Sequence, residues 1–124
     1  MKIRLKLTRA QYKGLATIAQ NCCSVIRGEG FAEVQYRDAL MGLTLRLAAK
    51  VPRLKEKGNG VTLGELESLV LWRTVSDLVE QMQPFEMGLG YMLLGEIDRQ
   101  RMGYVNLMRS NCVPAEGNYL SSRL

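Results

Sequence analysis

Charged and apolar residues alternate strictly at the start of the chain. Lys2, Arg4 and Lys6 fall on one side, and Ile3, Leu5 and Leu7 on the other, the period of a half-buried strand. Thr8 follows, with Gln11 three residues on. A hydroxyl residue and a glutamine at this spacing satisfy each other's backbone donors, so a helix is expected to begin here. The period then changes. Tyr12, Leu15, Ala16, Ala19, Cys22, Cys23 and Ile26 recur at threes and fours, which predicts a first helix over 9–26 with one apolar stripe. Gly28-Glu29-Gly30 ends it, since glycine accepts the left-handed backbone of a helix stop.

A second helix is predicted over 32–50, with Tyr36, Leu40, Leu43 and Leu47 as its stripe and Glu33–Arg37 as a favourable pair four apart. Pro52 closes it, and residues 53–60 read as an exposed loop. Thr62 and Glu65 again have capping-box spacing and predict a third helix to Met82. Its later half has a core stripe of Leu71, Val75, Leu78, Val79 and Met82. Leu66 and Leu69 fall on the opposite side, with Arg73, Ser76, Asp77 and Glu80. Leu63, Leu66, Leu69 and Val70 cannot all face one core, so they are expected at an oligomer interface or under the strand and tail. After Pro84 a fourth helix is predicted from Phe85 or Gly88 to Ser110. Residues 112–124 carry Pro114 and Gly117 and no helical period, and read as an extended or disordered tail.

The pattern predicts a mainly all-α fold, a single domain over 1–124: a four-helix up-down-up-down bundle with a short N-terminal β-strand. The strand, the loop at 52–61 and the tail would then share one end. The three cysteines are an odd count, with two of them adjacent, which is not a disulfide framework. The opening residues lack the apolar core of a secretory leader, and no apolar run is long enough to span a membrane. A cytoplasmic protein is expected.

Charge changes the picture most. The chain is +5 overall, but Lys2, Arg4, Lys6, Arg9 and Lys13 lie together with no acid among them. Arg46, Lys50, Arg53, Lys55 and Lys57 lie together against Glu56 alone. The bundle topology puts both groups at one pole. The expected contacts are Lys2, Arg4, Lys6, Arg53, Lys55 and Lys57, and the expected partner is an acidic protein surface or duplex DNA. The strand over 2–7, Thr8-x-x-Gln11 and Leu15-x-x-Ile18-Ala19 resemble the opening of ribbon-helix-helix DNA-binding proteins over residues 2–19. That resemblance implies strand pairing between two chains, with Lys2, Arg4 and Lys6 entering the major groove.

Catalytic chemistry finds little footing. Histidine is absent, which removes the commonest general base and metal ligand. Gly88-x-Gly90 and Gly95 lack the strand and the Gly-Lys-Ser/Thr of a phosphate loop, and are expected to serve close helix packing or to weaken the start of the fourth helix. Asp77 and Glu80 share a face with Arg73, an ion-pair partner rather than a metal. Cys22 and Cys23 belong to a core stripe, where cysteine acts as a small hydrophobe. Trp72 and Tyr91 are expected in the core or at its edge. The expected function is a non-enzymatic, self-associating interaction or regulatory module with no cofactor and no metal; the alternative is a DNA-binding protein.

Overall fold

A computed structural model describes residues 2–112, with side-chain surroundings given as far as Gly103. The predicted tail at 112–124 lies outside the described residues, apart from Cys112. Four helices and two strands follow one another: β1 (Ile3–Leu7), α1 (Arg9–Val25), α2 (Phe31–Lys50), β2 (Asn59–Leu63), α3 (Glu65–Leu78) and α4 (Pro84–Cys112). Short 3-10 turns at Val51–Arg53 and Val79–Gln81 extend α2 and α3. Among the described residues no helix is long and apolar enough to cross a membrane.

Alternation in β1 produces the expected strand. Ile3, Leu5 and Leu7 are buried, and Lys2, Arg4 and Lys6 are exposed. The strand pairs antiparallel with β2 of the same chain, Ile3 opposite Leu63, Leu5 opposite Val61 and Leu7 opposite Asn59. Part of the predicted loop is therefore a strand, and it displaces the predicted start of the third helix. Gly64, not Thr62, is the N-cap, and its N–H donates to Glu67 Oε1 at 2.8 Å. At α1 the expected capping box is present: Thr8 Oγ1 accepts from Gln11 N at 3.2 Å, and Thr8 N donates to Gln11 Oε1 at 3.0 Å. Pro84 opens α4 instead of preceding it, where its missing N–H costs nothing.

Long-range contacts fix the up-down-up-down order. Tyr12 near the start of α1 donates its buried hydroxyl to Leu47 O near the end of α2, at 2.9 Å. Arg46 late in α2 binds Glu67 early in α3, with Nη2–Oε1 at 3.0 Å. Glycines permit the two contacts to α4. A Cβ on Gly14 would stand 2.7 Å from Leu89 Cδ2, and one on Gly90 would stand 2.9 Å from Val79 Cγ2. Gly90 thus serves close packing as expected, whereas Gly88 and Gly95 face open space. The core joins the inner face of the sheet to all four helices, through Leu15, Leu43, Leu71, Leu93 and Ile97 among others.

Several side chains depart from the expected pattern. Arg37 does not pair with Glu33; it turns to the α1–α2 connection, donating to Ile26 O at 3.2 Å and Gly28 O at 2.7 Å. Gly28 has φ 103°, the left-handed conformation expected of a helix stop. Tyr36 sits in the predicted stripe yet is 39% exposed, and Tyr91 is 50% exposed rather than at the core. Trp72 packs half-buried against the core.

Candidate functional site

The basic pole is built by the sheet and the loop that feeds it. Asn59 locks the two together. Its buried side chain donates to Leu7 O at 3.1 Å and Lys55 O at 2.8 Å, and accepts from Lys55 N at 2.9 Å. Residues 54–58 are thereby held beside the Leu7 end of β1. The sole carboxylate of this loop, Glu56, is taken by Arg9 at 2.7 Å, and Arg9 also donates to Leu54 O at 3.0 Å. Lys2, Arg4, Lys6, Arg53, Lys55 and Lys57 are all exposed, and none of them is in an ion pair among the described residues. Lys2, Arg4 and Lys6 lie along the outward side of β1, and Lys55 and Lys57 lie in the loop beside its Leu7 end, with Lys2 at the far end of the strand.

Both edges of the sheet are tied to helices, which no sequence pattern indicated. On the β1 edge, Gln100 of α4 accepts from Arg4 N at 2.9 Å and donates to Arg4 O at 2.7 Å. On the β2 edge, Arg46 and Lys50 of α2 donate to Thr62 O and Gly60 O, each at 3.2 Å. Glu96 orients Gln100, accepting from its Nε2 at 2.8 Å, and also bonds Arg99, with Nε–Oε2 at 3.2 Å. Those bonds from Arg99 and Gln100 pull the Glu96 carboxyl down to about 2.

A second surface is apolar. The predicted interface set divides: Leu63 and Val70 are buried, 0% and 7% exposed, because β2 turns Leu63 into the core. Leu66 and Leu69 stay 41% and 39% exposed. They border an open groove of about 640 Å³ between α3, the end of α1 and the start of α2, walled by Val25, Ile26 and Tyr36 and rimmed by Arg73 and Asp77. On the outward face of α2, Met41 and Leu45 are 48% and 63% exposed. Their sequence signal was present: Val34, Met41 and Ala48 recur at sevens, with Leu45 between the last two.

Chemical groups elsewhere are structural in their settings. Cys22 is fully buried, and burial, with neighbouring Cys23, pushes its thiol up to about 12. The Cys23 thiol donates to Arg37 O at 3.5 Å. Asp77 pairs with Arg73 at 3.6 Å, the partner the sequence indicated. Among the described residues no three metal-ligating side chains converge. By class, the molecule is a four-helix bundle with a two-stranded sheet at one end. No family model, curated protein or solved structure matches the chain.

Proposed function

We infer that this chain is a non-enzymatic interaction module whose basic pole holds an acidic surface of a partner protein. One observation carries the reading: the cations of β1 and of the adjoining loop are all exposed, and the loop's own carboxylate is already consumed by Arg9. Unneutralised cations in one region attract an opposite charge over long range and speed encounter. A protein surface is favoured over duplex DNA by the tied sheet edges. A two-stranded ribbon enters a major groove about 12 Å wide only when its flanks are clear. Here Gln100 holds α4 along one edge, and Arg46 and Lys50 hold α2 along the other.

Titration with polyglutamate and with duplex DNA, each at low and moderate salt, tests the reading. Polyglutamate should bind, and more weakly at the higher salt. The variant Lys2→Ala, Arg4→Ala and Lys6→Ala should associate more slowly. Tighter binding to the duplex, with a salt slope that shrinks by nearly one unit for each cation removed, would transfer the function to nucleic acid. Binding to neither polymer would leave the pole as solvated surface and overturn the reading.

A further inference from the structure

We propose that two copies of this chain pair through the outer face of α3, about a two-fold axis that sets the two α3 helices antiparallel. The contact is separate from the basic pole and goes beyond the function inferred for it.

The groove on α3 has two unlike halves. Arg46 bonded to Glu67 fixes the level of α2 against α3. Because these helices run in opposite directions, equal steps along each take Arg46–Glu67 to Tyr36–Asp77. The wall of Val25, Ile26 and Tyr36 therefore stands beside the C-terminal turns of α3, and this end of the groove forms a recess. Leu66 and Leu69 project from the N-terminal turns of the same helix. An antiparallel two-fold sets the leucines of each copy over the recess of the other, so a single fit is made twice. Val25, Tyr36, Leu66 and Leu69 each leave about two fifths of their surface open (43%, 39%, 41% and 39%). Pairing would remove that area from water.

Charge favours a second copy over other occupants. The rim carries one charge of each sign, Arg73 and Asp77, 3.6 Å apart, so a contact between copies gathers no net charge. A uniformly charged partner helix would oppose one of the two. The whole chain is +5 and repels its copy elsewhere. The antiparallel arrangement sends the two basic poles to opposite ends of the pair and leaves the Arg73–Asp77 pairs at the contact.

Sedimentation equilibrium of the full chain tests the proposal. The wild type should reach twice the 13.9 kDa chain mass as concentration rises. Leu66→Glu and Leu69→Glu should each remain at the chain mass with unchanged helical circular dichroism. Should either glutamate prevent folding, Leu66→Ala with Leu69→Ala should weaken the dimer by about tenfold or more, as loss of central apolar anchors does. The Lys2, Arg4 and Lys6 variant should still dimerise, which separates this result from the fate of the basic pole. A wild type that stays at the chain mass up to its solubility limit overturns the proposal. So does a dimer whose strength is indifferent to substitutions at Leu66 and Leu69.

Discussion

Gln100 satisfies both outward backbone groups of Arg4, a residue 96 positions earlier in the chain, with one side-chain amide. The amide does what a neighbouring strand would do at that point, and it closes the edge of β1 where a second strand would otherwise add. Gln100→Ala should therefore cost about 1 kcal/mol, the net worth of partly exposed hydrogen bonds. It should also expose the edge. Thermal melting reads the first effect and light scattering on standing reads the second. Unchanged values in both would show that the amide contributes nothing.

At Gly90, α4 packs tightly against the end of α3 and the 3-10 turn that extends it. A methyl group there meets Val79 and, at 3.4 Å, Val75. Gly90→Ala should destabilise by about 1–3 kcal/mol through overpacking, despite the better helix propensity of alanine. Gly88→Ala faces open space on the same helix, and should instead raise stability slightly. Paired urea titrations of the two variants distinguish close approach from propensity.

Glu67 gives the fold an acid-sensitive joint. Burial pushes its carboxyl up, but the bond from Arg46, the Gly64 N–H and the Arg46 charge outweigh that and leave it below its ordinary value. A carboxylate depressed in the folded state contributes stability that is complete above its unfolded pKa and lost as pH falls through the folded one. Stability should thus decline on acidification below the ordinary carboxylate range. Glu67→Gln should flatten part of that decline, because the amide carries no charge to lose. An acid limb identical to wild type would show that Glu67 does not titrate with folding.

Cys22 and Cys23 should be slow to react in the native protein. A thiol pushed up to about 12 holds almost no thiolate near neutrality, and both side chains are buried. Cys22→Ala with Cys23→Ala should lower stability by about 1–2 kcal/mol through the voids left behind. Binding at the basic pole should be unaffected. Rapid labelling of both thiols in folded protein would contradict their burial.

Local patterns exposed much of this fold to a reading of the sequence. Period-two alternation placed β1, a hydroxyl–glutamine spacing placed the start of α1, three-four stripes placed α1, α2 and the later half of α3, and Pro84 marked the approach to α4. The start of α3 was obscured because Thr62-Leu63-Gly64-Glu65-Leu66-Glu67 holds two overlapping cap spacings. Thr62 is opposite Arg4 in the sheet, and that long-range pairing selects the later frame. The runs of positive charge in β1 and the loop were legible because charge density needs no partner to be seen. The ties at the sheet edges were not, since Gln100 on a helix surface looks like any solvated glutamine until Arg4 is beside it. Tyr36 was misplaced for a similar reason. Its position on the stripe is right, but a stripe cannot report that the side chain walls an open groove instead of the core.

The pairing of β1 with β2 has a consequence in time as well as in space. Leu7 and its partner Asn59 are 52 residues apart, and the whole α1–α2 hairpin lies between them. Helices and their hairpins close short loops, whereas this sheet closes a long one and gains little until the hairpin is in place. The cations of β1 and of the loop are therefore expected to meet only once the α1–α2 hairpin has formed. A nascent or partly opened chain would carry the same net charge but spread over separated segments, so a partner that needs the assembled pole would distinguish finished molecules from unfinished ones.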